Sequence, residues 1–167
     1  MSKRFSDTFD EEKAWHQPNG KQMTYEEVLK EIEEYLKIEG AKVYVGSDSM
    51  LSNFGCTFAT TICMHFNKGQ VANYYFQKHR DKTLIYFDLQ LKISREVNNA
   101  ILLANSILYQ LPQSQNRIEI HADVGTSKRS ETRKFVDFIS GWVTAVGFEC
   151  RVKPDSWASS IADWHTK

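Results

Sequence analysis

Cysteine is scarce in this chain. Cys56, Cys63 and Cys150 are the only three, and none stands in a CxxC pair. An odd set without that spacing argues against a disulfide framework or a cysteine zinc site, and for buried thiols in a reducing compartment. Proline is as rare, at positions 18, 112 and 154. Long apolar runs are missing: nothing approaches the roughly 20 residues that cross a bilayer. The opening "MSKRFSDTFDEEK" has no apolar signal-peptide core either. A soluble, cytoplasmic protein with no membrane partner is the expectation. Net charge is absent too, with 21 Lys and Arg against 21 Asp and Glu. Any attraction for a polyanion must therefore come from local patches. There are no internal repeats or low-complexity tracts. "GTSK" lacks the glycines of a phosphate-binding P-loop, and neither a GxSxG elbow nor an HExxH pair occurs.

What remains is ordinary globular material. The 167 residues are 41% hydrophobic and 13% aromatic, enough for one domain with a real core and a short extension. Residues 1 to about 22 read as a polar arm, with Pro18-Asn19-Gly20 as a turn. Thr24 and Glu27 form a capping box. The helix behind it carries Val28, Leu29, Ile32 and Leu36 on one face and ends at Gly40. Three strand-like runs follow: "KVYVGSDS", the alternating "CTFATTICMHF", and "QVANYYFQKH" after a turn at Asn67-Lys68-Gly69. The short connections imply antiparallel hairpins.

From Asp88 the period changes to threes and fours (Leu89, Ile93, Val97, Ala100, Ala104, Ile107, Leu111), which predicts a long helix stopped at Pro112. "RIEIHAD" is a strand. "VGTSKRSETRK" is expected to open the next helix, with Phe135, Val136, Ile139, Trp142, Val143 and Val146 as its stripe. "FECRVK" is the last strand. After Pro154, Asp155 or Ser156 caps a final short helix. The order after the first helix is β-β-β-α-β-α-β-α, and crossovers through helices make the later strands parallel. In such sheets ligands gather outside the carboxyl ends of the strands. Asp48 and Asp123 both lie at such ends. If those strands are parallel neighbours, the two carboxylates meet.

This layout resembles the ribonuclease H-like fold. More narrowly, "VGSDS", "HADVG", the "GF" before a strand and "KPDSWASSIAD" resemble the YkuK-type family of predicted ribonuclease H-like nucleases. The resemblance covers roughly Lys42 to Lys167. It implies an α/β protein with a five-stranded mixed sheet of order 3-2-1-4-5 and helices on both faces. An N-terminal arm and extra helix (1–40) would precede the ribonuclease H-like domain (41–167). The family's acidic positions fall here on Asp48, Glu96, Asp123 and Asp163. The implied activity is a divalent-metal phosphodiester hydrolase; the expectation is two Mg²⁺ or Mn²⁺ ions acting on RNA, an RNA–DNA hybrid or structured DNA. Asp48 is expected to bridge the ions, with Asp123 and Glu96 holding one and Asp163 the other.

Each carboxylate also has a plainer explanation. Asp48 and Asp123 can close turns. Glu96, beside an apolar face, can pair with Lys92 at i−4, and Asp163 can be a solvated helix residue. Ser47, His121, Asp155 and His165 are second-tier candidates for orienting phosphate or moving a proton. Lys128, Arg129, Arg133 and Lys134, with "KHRDK" at 78–82, are the basic footprint available to nucleic acid. The competing class is a catalytically inactive module of the same fold that binds nucleic acid or a protein partner.

Overall fold

The computed structural model describes residues 12–66 and 70–167; the expected turn at Asn67-Lys68-Gly69 and most of the N-terminal arm lie outside the described residues. Three long strands, β3 (Val43–Ser52), β4 (Gly55–Phe66) and β5 (Gln70–Asp81), form an antiparallel meander. Helix α2 (Leu89–Gln110) carries the chain back to β6 (Ile118–Gly125), which pairs parallel to β3. Helix α3 (Val136–Ala145) then leads to β7 (Glu149–Lys153), parallel to β6, and α4 (Trp157–Asp163) follows. The core order β5-β4-β3-β6-β7 is the expected 3-2-1-4-5.

Among the described residues the sheet has seven strands, not five. The arm supplies the other two, β1 (Trp15–His16) and β2 (Gln22–Met23), a short hairpin that joins the outer edge of β5 through His16 opposite Phe76. Strands of two residues are too short to carry an alternation, so periodicity is silent on them. Burial holds the hairpin in place: Trp15 and Met23 belong to the main core.

Helix α1 (Tyr25–Leu36) starts at the expected capping box, with Thr24 and Glu27 each accepting from the other's backbone N–H. Its stripe, Val28, Ile32 and Leu36, sits in the same hydrophobic core as the sheet and α2. Its C-terminal turn has no basic residue of its own. Arg117, just before β6, donates instead to the carbonyls of Leu36, Ile38 and Ala41 at 2.8–3.0 Å, where the helix dipole favours a cation.

Strand alternation divides the sheet into two faces. Val43 and Val45 of β3, with Ile118, Ile120, Ala122 and Val124 of β6, face the core shared with α1, α2 and α3. Tyr44, Gly46 and Asp48, with Glu119, His121 and Asp123, point to the opposite face, where α4 lies. Trp157 of α4 packs there on Tyr44 and His121, ring centroids 4.7 and 5.2 Å apart.

One expected helix start is corrected. Residues 126–132 form turns, Arg133–Phe135 a 3-10 turn, and α3 begins only at Val136. Hydroxyls compete here for the backbone: Thr132 Oγ1 accepts from Gly125 N–H at 2.8 Å, and Ser130 Oγ accepts from Thr132 N–H at 3.3 Å. Such local bonds offer the chain an alternative to helix.

Candidate active site

Asp48 and Asp123 arrive side by side because of register. The parallel ladder of β3 and β6 ends at Gly46 opposite His121. Two residues further on, on the same face of both strands, stand Asp48 and Asp123. Glu96 comes from the other face of the sheet, two turns into α2. Ser49 points toward α2 and its hydroxyl donates to Glu96 Oε1 at 2.5 Å; Lys92, one turn earlier, donates to the same oxygen at 2.9 Å. The i−4 salt bridge is therefore present. It is not the carboxylate's whole environment.

Electrostatics tie the three acids together. Asp48 is 6% exposed. Burial, followed by repulsion from Glu96 and Asp123, pushes its carboxyl from the ordinary 3.8 to about 8. Burial also raises Glu96, against the pull of Lys92 and Ser49, and Asp123 adds to the repulsion. Desolvation and like charge both disfavour the ionised form.

A residue without a sequence signal completes the cluster. Lys153, at the end of β7, donates to Asp123 Oδ1 at 2.7 Å with its side chain 53% exposed. That hydrogen bond, then the charges of Asp123, Asp48 and Asp163, hold Lys153 above the usual lysine range. Asp163, at the end of α4 and partly exposed, thus reaches the group through a shared ammonium. Among the described residues, no three histidine, cysteine, aspartate or glutamate side chains stand ready to hold a metal ion as they lie. Lys153 and Lys92 instead occupy carboxylate oxygens.

The second-tier residues divide. His121 is buried, and its ring serves structure: Nδ1 accepts from the Ala158 backbone N–H at 3.0 Å, while Nε2 bonds Glu119 Oε1 at 3.0 Å. His121 thereby satisfies an amide in the first turn of α4. The cap expected from Asp155 or Ser156 is not made by either side chain; Asp155 lies exposed in the turn before the helix. Glu119, resisting burial, is held below the usual carboxylate range by His121 and Arg151. His165 stacks on Phe76 of β5 at 3.6 Å and bonds the Tyr74 hydroxyl at 3.0 Å, away from the acidic cluster. Ser47 is buried beneath the site with no hydrogen-bond partner in the described structure. Lys128, Arg129, Arg133 and Lys134 are all exposed, the first two on the turns that follow β6 and the other two on the 3-10 turn ahead of α3.

Comparison with known proteins agrees with this layout. A family model described as "Ribonuclease H-like" matches residues 24–167, beginning at the N-cap of α1. The chain is also 28% identical over 163 residues to the uncharacterized protein YkuK of Bacillus subtilis (strain 168), an alignment covering 87% of this chain and 92% of that protein.

Proposed function

We propose that this chain, which belongs to the ribonuclease H-like family, is a divalent-metal-dependent nuclease that hydrolyses phosphodiester bonds in RNA, RNA–DNA hybrid or structured DNA. Family membership points to nuclease-type or nucleic-acid-related chemistry. The observation that carries the finer reading is the gathering of Asp48, Glu96 and Asp123, from two strands and a helix, within electrostatic reach of one another. The donor set suits Mg²⁺ or Mn²⁺: it is all oxygen and hard, and its mutual repulsion is what a cation would relieve. Asp48, Glu96 and Asp123 would hold the ions, with Asp163 as the fourth ligand. When bound there, such ions would lower the pKa of water and neutralise phosphate oxygens. The chain's own groups do the positioning. Ser49 fixes the Glu96 carboxylate, and His121 anchors α4 and with it Asp163. Lys153, half in solvent, can leave Asp123 for a substrate phosphate.

The test is a cleavage panel of hybrid, duplex RNA, single strands and branched DNA with Mn²⁺. Wild type is expected to cut at least one substrate, and Asp48→Asn to lose on the order of 10²-fold or more, as when a key electrostatic group is removed. Mn²⁺ at about 100 times its Kd should add about 2.7 kcal/mol of stability by mass action. Absence of cutting by either protein, together with an unmoved melting temperature in Mn²⁺, would remove the reading.

The two lysines support a second reading, a catalytically inactive module binding nucleic acid or a protein. With Lys153 on Asp123 and Lys92 on Glu96, the acids are partly neutralised by the protein itself. Lys153→Gln separates the readings. If the ammonium holds a cation's place, the variant should bind Mn²⁺ about tenfold more tightly, or about 1.4 kcal/mol. Titration calorimetry showing no Mn²⁺ binding by either protein favours the module.

A further inference from the structure

The carboxyl ends of the strands carry a second feature that the acidic cluster does not use. Eleven large hydrophobic side chains are exposed among the described residues, and five of them, Phe54, Leu84, Ile85, Phe87 and Leu91, lie on the β3–β4 hairpin tip and on the segment that leads from β5 into α2. Scattered apolar side chains need no explanation, but a concentration of this kind marks a binding surface. The fold brings them together. Phe54 sits at the tip of the β3–β4 hairpin, and Gly55 beside it lies against the Asp81–Lys82 backbone, so close that a Cβ would stand 2.2 Å from the Asp81 carbonyl oxygen. The 3-10 turn Ile85–Phe87 follows immediately. Tyr86 anchors that turn to β4 by packing edge-on against Phe58 at 5.0 Å, which leaves Ile85 and Phe87 outward. Phe87 then leads through the N-cap Asp88 into α2. From Phe87 to Glu96 is nine residues, about 13 Å along the helix.

Charge selects the occupant. The chain as a whole is neutral, yet residues 78–96 hold Lys78, Arg80, Lys82, Lys92 and Arg95 against Asp81, Asp88 and Glu96, five against three, or +2, and with Lys92 paired to Glu96 the excess lies on Lys78, Arg80, Lys82 and Arg95. The hairpin from Ser49 to Cys56 contains no charged residue. Exposed phenyl rings interleaved with local positive charge, continuous with a carboxylate site, match a polyanion whose subunits carry flat faces. In a duplex those faces are stacked away from side chains, whereas in a single strand they are free.

We propose that this surface binds single-stranded nucleic acid, with Phe54 and Phe87 stacking bases and the Arg80–Lys82 cations meeting phosphates, so that the strand leads along α2 toward the carboxylates. The inference rests on the nuclease reading for its direction, but the binding stands apart from it and is measured without metal.

The experiment uses the full chain in EDTA and a fluorescein-labelled oligo-dT of about 15 nucleotides, with the same length of blunt DNA duplex as comparison. Fluorescence anisotropy should show tighter binding of the single strand. Phe54→Ala and Phe87→Ala should each weaken it roughly tenfold with the salt slope unchanged. Lys82→Gln should lower that slope by about 0.7. Both phenyl groups are mostly exposed, 76% and 60%, so truncation leaves the core intact. Equal affinity of both phenylalanine variants and wild type, preference for the duplex, or no binding of oligo-dT overturns the inference. So does a dimer in sedimentation that Phe54→Ala dissociates, which would make this a face for a second copy, and so does a surface that takes up a protein and ignores the oligonucleotide. Binding with this pattern but no cleavage under Mn²⁺ would sink the nuclease reading alone; cleavage untouched by either phenylalanine variant would sink the stacking alone.

Discussion

Metal-free wild-type protein should lose stability steadily as pH rises from about 4 to about 8, and Asp48→Asn should flatten most of that decline. The cause is the Asp48 carboxyl, raised from 3.8 to about 8 by burial and by its acidic neighbours. Between those values the native state keeps a proton that the unfolded chain has released. With more protons on the native state, stability falls as pH rises. The contribution of neutral Asp48 is whole below pH 4 and lost as pH passes through 8. A full proton difference is worth about 1.4 kcal/mol per pH unit, and the pull of Lys92 is already contained in the value of about 8. The roughly four pH units between the two values therefore set an upper bound of about 6 kcal/mol, roughly 12–24 °C in melting temperature for a domain of this size. Asparagine keeps the shape without the charge, so at pH 8 the variant should melt higher than wild type while being inactive. Mn²⁺ reverses the order. It favours the ionised carboxylates, so the wild type should gain most from it at pH 8 and the variant should gain almost nothing. Melting curves at four pH values, with EDTA and with Mn²⁺, check both statements. Parallel pH profiles for the two metal-free proteins would show that Asp48 is not the group that titrates.

That trade places Asp48 among residues held at a local cost in stability, as the proposed metal site requires. Glu96 belongs with it. A carboxylate 4% exposed between a lysine and a serine is an expensive way to link a helix to a strand, when an apolar side chain would pack there without desolvating a charge. Glu119 makes the opposite case. It is buried on the same strand as Asp123, but His121, Arg151 and Lys42 surround it, and they hold it below the usual range. Two acids four residues apart on one strand thus have separate uses. Glu119 joins β6 to β7 and, through His121, to α4, and Asp123 stands with Asp48 and Lys153.

Sequence reasoning reached the five core strands and the long helix because their signals are local. The three-four spacing from Leu89 to Leu111 reports one buried face, and Pro112 ends the helix by removing a donor; the alternation of Cys56 to Met64 marks a strand, although its other face is buried too, with Thr61 and Cys63 under α4. The meeting of Asp48 and Asp123 followed from topology: parallel neighbours with matched register bring their carboxyl ends together. Lys153 was not legible. Its contact with Asp123 depends on an irregular pairing of β6 and β7, which shifts between His121 and Gly125, and no window of sequence contains it. The arm's strands were missed because two residues have no period. The late start of α3 was missed because serine and threonine hydroxyls took backbone donors that a helix would otherwise use. His121 was read as facing the site, and it does share the face of Asp123, but its ring is spent on Glu119 and the first turn of α4.

Gly46→Ala should be among the most damaging single changes in the protein, although it adds one methyl group and removes no side chain. Gly46 lies on the α4 face of β3, and α4 rests its backbone directly upon it. A Cβ built there would stand 2.4 Å from the Ala158 carbonyl carbon, 2.5 Å from its oxygen and 2.5 Å from the Ser159 nitrogen. All three are backbone atoms, so no flexible side chain can give way and the helix as a unit must move. Its anchors would be strained in turn. Thr61 on β4 donates to the Ala158 carbonyl at 3.1 Å, and the Ala158 N–H donates to His121. Overpacking of a close contact costs about 1–3 kcal/mol, and the loosened hydrogen bonds put this site at the upper end, about 3 kcal/mol or roughly 6–12 °C. Gly141 on α3 is the control: nothing lies within 4 Å of its missing Cβ, so Gly141→Ala should be neutral or stabilise by about 0.5–1 kcal/mol through helix propensity. Urea denaturation of both variants measures the contrast, and hydrogen exchange should show lost protection concentrated at the Ala158 and Ser159 amides. Because α4 carries Asp163, the same shift should weaken Mn²⁺ binding while Asp48, Glu96 and Asp123 stay unchanged. A Gly46→Ala protein within 0.5 kcal/mol of wild type would mean that α4 does not sit against β3 as closely as described, and the placement of Asp163 beside Lys153 would fall with it.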